Sequence, residues 1–366
     1  MKFFSMFSGI GGFDLALERE GHECIGFSEI DKHAIAVYKK HFPEAVNYGD
    51  ATQIDASKLP DFELLVGGFP CQSFSFAGKR KGFDDQRGTL FFEIARLAEA
   101  KRPAHLLLEN VKGLLSAQQG YCFASILSRL DELGYCVEWQ VLNSKWWLPQ
   151  NRERVFIHGF REGSGRTVFP LSESNRVFDE ADGGEQGEGK GVCSALRAGY
   201  DRNQAGGETY LIEAMACLTP NRLEKQQNGR RFKNQGEHRF ALTGQDQHGV
   251  LLLNSATKSG YSVAEEGDGV RLQFPNSNTA RGGVVKGAAQ ALQTSGASGV
   301  FPRGKLRRLT PTECCALQGF PRNWTATGVY NGVEKPVCDS QRYKMLGNAV
   351  SVPVVHAIGR ELCQIH

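Results

Sequence analysis

Phe3-Phe4-Ser5-Met6-Phe7-Ser8-Gly9-Ile10-Gly11-Gly12-Phe13 runs from a short apolar strand through a glycine turn directly into the periodicity of a helix. A run this short, stopped by glycines and followed at once by a helix, is the opening unit of an α/β sheet. The unit recurs downstream, with apolar runs at Cys24 to Ser28, Leu64 to Gly67, Leu106 to Leu108 and Val155 to Gly159. Met1 to about Arg161 is therefore predicted to form a mostly parallel sheet with helices on both faces. Beyond Gly163 the texture turns to glycine, polar residues and short strand patterns, with the acidic, glycine-rich stretch Asp179 to Gly191 as a linker or loop. That change predicts a second, smaller, irregular and mostly-β domain. The expected division is 1–165 for the first domain and 166–339 for the second. About 340–366 is expected to complete the first, because Tyr343 to Cys363 regains an apolar helical pattern.

Within the second region Ser194 to Gly199, Ala241 to Gly244 and Ala291 to Gly296 echo one another, and two of them lead into Gly249 to Leu252 and Gly299 to Phe301. Short hairpins of an irregular sheet fit this pattern, and for units so small chance similarity fits it equally well.

The 366-residue chain is 40% hydrophobic and carries a net charge of +3. It can bury a core large enough for two domains, yet its charge balance is too mild to argue a nucleic-acid partner by itself. Met1-Lys2-Phe3-Phe4 starts like a secretion signal, but Gly9, Gly11, Gly12 and Asp14 cut the apolar run short. No stretch is long enough to span a bilayer. The ten cysteines show no Cys-x-x-Cys spacing, which predicts free thiols in a reducing compartment and argues against disulfides or a zinc site. Nine of them read as small apolar fillers; Cys71 reads differently.

Glycines at the end of the first strand let a backbone approach a ligand, and the free amides opening the helix favour a polar or anionic group. Phe7, Gly9, Gly11 and Gly12 are the candidates at this turn. Glu29 closes the second strand at the distance where an acid grips ribose hydroxyls. Asp50, after Gly49 at the end of a third short strand, can accept from an adenine amino group. A plain tight turn explains the glycines alone equally well, but it does not explain three strand-end features in register. Glycines at 9, 11 and 12 followed by bulky Phe13 break the Gly-x-Gly-x-x-Gly spacing of dinucleotide sites. S-adenosylmethionine offers ribose and adenine without a pyrophosphate, so the pattern favours that cofactor.

Pro70-Cys71 follows Leu64-Leu65-Val66-Gly67-Gly68-Phe69 and so places a thiol at the carboxyl end of a buried strand, where open α/β sheets keep their chemistry. His105-Leu106-Leu107-Leu108 ends likewise in Glu109-Asn110-Val111. A nucleophile and a proton donor can thus share one sheet edge. A lone cysteine is more often a structural thiol, and an acid near a strand end more often caps a helix or pairs with a lysine. Pro70 fixes the local backbone, and the loop through Lys79-Arg80-Lys81-Gly82 suits a mobile lid. No histidine stands in a motif that would take the thiol proton, which argues against a cysteine hydrolase. Arg152 and Arg154 alternate ahead of Val155-Phe156-Ile157 and project to one side. They can converge on an anion or a carbonyl oxygen, or simply be solvated.

In this order the segments resemble the DNA (cytosine-5)-methyltransferases. The resemblance rests on Phe7 to Phe13, Glu29-Ile30-Asp31, Gly49-Asp50-Ala51-Thr52, Gly68 to Ser73, Glu109-Asn110-Val111, Gln150 to Arg154, Arg308 to Cys314 and Leu346-Gly347-Asn348-Ala349-Val350. It covers Met1 to Arg161 and Arg307 to Arg360, and leaves about Glu162 to Leu306, where that family places its variable target-recognition domain. It implies a Rossmann-like S-adenosylmethionine-dependent methyltransferase domain with a smaller, irregular target-recognition domain. Cys71 would attack carbon 6 of cytosine as a thiolate, and Glu109 would engage ring nitrogen 3 and the amino group. Arg154, with Arg152, would hold the carbonyl oxygen and orient the ring or loop. Phe7, Glu29, Asp50 and Asn348 would line the cofactor pocket, with Ile30 against the adenine. Gln72 and Ser73 would contact DNA beside the thiol, and the target base would be flipped out of the duplex.

A local charge asymmetry points the same way. Arg222, Lys225, Arg230, Arg231, Lys233 and Arg239 face only Glu224 and Glu237, among Gln226, Gln227, Asn228 and Asn234. Such a stretch can neutralise phosphates and read base edges, or be a solvated loop. Three alternatives stay open: the same chemistry on a tRNA cytosine, an idle DNA-binding module, or a nucleotide-binding oxidoreductase. Intact Cys71, Glu109, Arg152 and Arg154 oppose the idle module, and the missing dinucleotide spacing opposes the oxidoreductase. The lack of an amino-terminal regulatory extension suggests a compact bacterial, phage or archaeal type of enzyme. The expectation is a cytoplasmic, nucleoid-associated monomer acting on duplex DNA, functionally paired with a restriction endonuclease, without membrane or metal.

Overall fold

The structure, a computed structural model, describes residues 1–69, 90–161, 167–172, 214–218, 248–253, 261–265, 267–271, 283–292, 294, 298–300 and 307–364. Cys71, Gln72, Ser73, Arg222, Arg230, Arg231 and Lys233 lie outside the described residues.

Six strands make the main sheet: β1 (Lys2–Met6), β2 (Glu23–Ser28), β3 (Leu64–Gly68), β4 (His105–Val111), β5 (Tyr135–Asn143) and, after the short β6 (Gln150–Asn151), β7 (Glu153–Arg161). Their order is β2-β1-β3-β4-β7-β5. The first four pair in parallel, and β7 runs antiparallel between β4 and β5. The sheet is mostly parallel, as expected, and β7 alone runs against the other five strands. Successive side chains of a strand alternate between faces, and here both faces are apolar. Phe3, Leu64, Val66, Leu107 and Phe156 join one core, and Phe4, Met6, Leu65, Leu106, Leu108, Val155 and Ile157 the other. Burying each such side chain contributes about 1.5–3 kcal/mol. The edge strand β5 keeps Cys136 and Trp139 exposed, so it lacks the continuous apolar run that announces a central strand.

Helices cover both faces: α1 (Gly12–Glu18), α2 (Lys32–His41), α3 (Leu90–Lys101), α4 (Tyr121–Glu132), α5 (Pro311–Gln318), α6 (Asp339–Asn348) and α7 (Val352–Cys363). Their ends obey local chemistry. Asp31 caps α2 by accepting from the amides of His33 and Ala34, and Lys39, Lys40 and His41 close its last turn. Thr310 and Glu313 form a capping box at α5, with Pro311 in the first turn and left-handed Gly319 after the end. The strand expected before Asp50 shrinks to one isolated bridge between Phe27 and Asn47. Asp50 instead caps a 3-10 turn over Ala51–Gln53.

The described residues of 162–306 include strands, turns and irregular segments but no helix. One antiparallel sheet joins β8 (Ala214–Leu218), β9 (His248–Leu253) and β10 (Tyr261–Ala264). Another joins β11 (Gly269–Arg271), β12 (Gly283–Val285), β14 (Ser298–Val300) and β15 (Arg307–Arg308), while β13 (Ala289–Gln290) pairs in parallel with β6. Of the echoing segments, those at 194–199 and 241–244 lie outside the described residues, and Ala291-Leu292 forms no strand.

The chain returns to the first core well before position 340. Leu309, Cys314, Cys315, Leu317, Phe320, Trp324 and Val337 pack with Phe3, Ile10 and Phe13. The hairpin of β16 (Thr327–Tyr330) and β17 (Val333–Pro336) presses Gly328 on α2, where an added Cβ would stand 2.9 Å from Ala36. Val168, Phe169 and Leu171 also join that core.

Under the first turn lies a buried polar cluster. Asp14 accepts from Tyr38 (2.8 Å), Ser5 (3.0 Å) and Cys24 (3.3 Å). Burial pushes the Asp14 carboxyl, the Cys24 thiol and the Tyr38 hydroxyl above their ordinary ranges. Of the cysteines read as fillers, Cys122, Cys314 and Cys315 are buried, whereas Cys136, Cys338 and Cys363 are exposed. No helix is long and apolar enough to cross a membrane among the described residues.

Candidate active site

β1 and β2 end level, with Met6 opposite Ser28, so the turns that follow start side by side. Gly9 and Gly11 adopt left-handed φ of 57° and 82°, and Phe7 shares that region at 53°. A non-glycine residue held there costs on the order of 1–3 kcal/mol, and bonds from neighbouring segments hold it. Ser8 N–H donates to Ser28 O at 3.2 Å, and Gly9 N–H to Glu29 Oε2 at 2.9 Å. At Gly9 an added Cβ would meet nothing within 4 Å, so this part of the turn is open to a ligand. Gly11 and Gly12 are more closely packed. A Cβ on Gly11 would stand 2.6 Å from Phe42, and one on Gly12 would stand 2.7 Å from Val350. These two glycines also let the helix start pack closely against its own protein.

The Glu29 carboxylate also accepts from the amides of Ile30 and Asp31, both at 2.8 Å. Three of its roughly four acceptor positions are thereby filled, leaving one for a hydroxyl. Asn47, absent from the sequence reading, bridges this loop to the next. Its Oδ1 accepts from Glu29 N–H (3.3 Å) and Gly49 N–H (2.9 Å), and its Nδ2 donates to Glu29 O (3.1 Å). Asp50 is exposed and accepts from the amide and hydroxyl of Thr52 at 2.9 Å. Ile30 is 72% exposed beside Glu29, an apolar shelf suited to a flat ring. Asn348 is exposed at the end of α6, and the buried Ser8 hydroxyl has no partner among the described residues. Acceptors for hydroxyls and an amine, an apolar shelf and an open glycine fit a nucleoside.

At the other half of the sheet edge Glu109 stands in register with Gly68. A Cβ on Gly68 would lie 3.4 Å from Glu109 Oε2, so the glycine leaves room for the carboxyl. Glu109 is 8% exposed, and Arg154 Nε lies 3.0 Å from its Oε1. Beyond this ion pair, that oxygen has no other partner among the described residues. Burial pushes the Glu109 carboxyl above its usual range, against the opposing charges of Arg154 and Arg152. Asn110 holds the strand that leads to the thiol, donating from Nδ2 to Phe69 O at 3.0 Å. Cys71 follows Phe69 by two positions and lies outside the described residues.

Arg152 departs from expectation. It is 2% exposed and turns its fork inward, Nη1 to Gly347 O at 3.2 Å and Nη2 to Ala349 O at 2.9 Å. Burial, reinforced by the Arg154 charge, brings its guanidinium down to about 9, still cationic at neutral pH. Gln318 completes the clasp, donating to Leu346 O (2.8 Å) and Ala349 O (3.2 Å) while accepting from Ser351. Arg152 therefore fixes the backbone on both sides of Asn348 and is not aimed at a substrate carbonyl. Arg152→Met is expected to destabilise the fold by about 3 kcal/mol, since two charge-assisted bonds to buried carbonyls are lost. A urea denaturation midpoint equal to the parent's would remove the clasp from the account.

Arg96 does the same for the loop of Asp50, its fork donating to Ala51 O and Ile54 O, both at 2.9 Å. Asn47, Arg96 and Gln318 carried no local sequence signal. Each reaches a backbone carbonyl or amide that the fold alone brings near. Among the described residues no group of three His, Cys, Asp or Glu side chains is placed to hold a metal ion.

Comparison with known proteins matches residues 1–364 to the family model C-5 cytosine-specific DNA methylase. The chain is similar to the type II methyltransferase M1.ScrFI of Lactococcus lactis subsp. cremoris, 34% identical over 100% of this chain and 78% of that one. It is also similar to the type II methyltransferase M.NgoBV of Neisseria gonorrhoeae, 32% identical over 99% of this chain and 98% of that one. Among solved structures it shares the fold of the S. pombe Dnmt2 methyltransferase, with a TM-score of 0.59, 16% identity, and coverage of 100% and 98% of the two chains.

Proposed function

We infer, for a chain that belongs to the C-5 cytosine-specific DNA methylase family, that Cys71, Glu109 and Arg154 form the edge at which a flipped cytosine is methylated. The protein is a site-specific DNA (cytosine-5)-methyltransferase that uses S-adenosylmethionine. The observation that carries the assignment of the edge is Glu109, a buried carboxyl beside Arg154 and opposite Gly68, the glycine that precedes Cys71 by three positions in the sequence.

Cytosine carbon 6 resists a nucleophile until electron density is drawn towards ring nitrogen 3. Glu109, kept protonated to higher pH by burial, supplies the proton or hydrogen bond there, and its other oxygen accepts from the amino group. Arg154, 3.0 Å from Glu109, holds the carboxyl in place and serves the ring carbonyl oxygen. The Cys71 thiolate then bonds to carbon 6 and makes carbon 5 nucleophilic. S-adenosylmethionine, when bound, would supply the electrophilic methyl group to carbon 5 and leave as S-adenosylhomocysteine. Carbon 5 loses its proton to water, the carbon 5 to carbon 6 double bond re-forms, the Cys71 thiolate leaves, and any proton given to ring nitrogen 3 returns to Glu109. Phe7, Gly9, Glu29, Ile30, Asp50 and Asn348 hold the cofactor, with Gly11, Gly12 and Arg152 shaping the loops behind them.

The β-rich region within 162–306 is read as the target-recognition domain, with Arg222, Arg230, Arg231 and Lys233 on phosphates and bases, and Gln72 and Ser73 beside the flipped cytosine. A monomer in the cytoplasm, bound to the nucleoid and matched to a restriction endonuclease, completes this reading. Purified protein with radiolabelled S-adenosylmethionine, offered unmethylated duplex DNA and tRNA side by side, should label the duplex alone. Bisulfite sequencing should place the mark within one short motif. Label on tRNA alone would overturn the substrate assignment.

A further inference from the structure

Trp324 lies between the segments that carry the family resemblance, yet it reaches the first of them. Its indole Nε1 donates to Ile10 O at 2.9 Å, joining positions 314 residues apart. The side chain is 7% exposed. The His41 ring stacks on it at 3.4 Å and 6°, and Phe320 and Phe42 pack at 5.5 and 6.1 Å. His41 Nε2 also pairs with Trp324 O at 2.9 Å. The indole is thus fixed in place before it makes its one polar contact.

Ile10 sits between left-handed Gly9 and Gly11 and three positions after left-handed Phe7. Such a turn is not maintained by local preference. Glu29 holds it on one side through Gly9 N–H, with a carboxylate that has the ribose to serve as well. Trp324 holds it from the protein side. Phenylalanine would fill the same space without donating, whereas an indole combines a large apolar body with one N–H.

We propose that Trp324 is a positioning residue for S-adenosylmethionine recognition: by fixing the Ile10 carbonyl it sets where the Gly9 turn and Glu29 meet the cofactor. The proposal rests on the reading of this turn as the cofactor pocket. Removing the N–H should raise the dissociation constant for S-adenosylmethionine about 3- to 10-fold, the size of one net hydrogen bond.

The test compares Trp324→Phe with a protein carrying β-(3-benzothienyl)alanine at position 324, which keeps the ring shape and loses only the N–H. Titration calorimetry with S-adenosylmethionine in the absence of DNA reads affinity, and steady-state kinetics reads the rest. The expected result is a weaker cofactor Kd and a raised cofactor KM in both proteins, with kcat at saturating cofactor and the DNA KM within about twofold. Parental cofactor affinity in the benzothienyl protein would overturn the proposal. So would a loss spread equally over kcat, DNA KM and the denaturation midpoint, which marks a merely structural role. Glu29→Gln distinguishes the two levels. If it weakens cofactor binding while position 324 does not, the proposal alone fails. If neither change affects binding, the pocket assignment fails and takes the proposal with it.

Discussion

Cys71→Ser is expected to bind S-adenosylmethionine and duplex DNA like the parent while losing methyl transfer by at least ~10³-fold, about 4 kcal/mol of transition-state stabilisation. A thiol with an ordinary pKa near 8.5 gives a few per cent thiolate at neutral pH, and thiolate is a strong nucleophile towards a polarised ring carbon. A serine hydroxyl stays protonated, and no histidine stands in a sequence motif that would activate it. Single-turnover transfer of radiolabelled methyl reads the chemical step apart from product release. A duplex with 5-fluorocytosine at the target gives a second readout, because fluorine stands where a proton must leave. The parent should remain covalently attached to that duplex, and Cys71→Ser should not. Transfer at the parental rate in the variant would remove Cys71 from the chemistry.

Glu109→Gln is expected to lower kcat by about 10²-fold, roughly 2.7 kcal/mol, with cofactor affinity unchanged. Glutamine keeps the shape and can still donate to ring nitrogen 3, but it cannot transfer a proton. The pH profile separates these two roles. The parent needs Glu109 protonated and Cys71 ionised. Burial raises the Glu109 pKa, so its protonated fraction persists above the usual carboxylate range and then falls as pH rises. The parent rate should therefore descend at alkaline pH. In Glu109→Gln only the Cys71 requirement remains, so the rate should rise with pH and level off. An unchanged alkaline descent in the variant would show that another group carries the proton.

The strands that lead to this proposed edge are legible in the sequence because their signal is local. Leu64, Leu65 and Val66 are fully buried, and a strand buried on both faces must be an unbroken apolar run. The residues after such runs, Glu109 among them, stand where the sheet ends. Gly9 is a glycine for an equally local reason, since its left-handed backbone admits that residue at no steric cost. Gly11 and Gly12 looked alike in sequence but answer to Phe42 and Val350, neighbours that no local pattern announces.

The amino-acid sequence by itself determined the alternating α/β core, the strand character of the described residues in the region after it and which residues stand at the strand ends. These follow from side-chain polarity at spacings of a few residues, which is where strand and helix periodicity act. Tertiary structure alone decided that β7 enters the sheet antiparallel, that Arg152 grips Gly347 and Ala349, and that the chain rejoins the core at Leu309. Strand direction and the partner of a buried donor depend on which distant segments pack together. A backbone carbonyl at Ile10 or Gly347 carries no side-chain signature of the donor that will come to satisfy it.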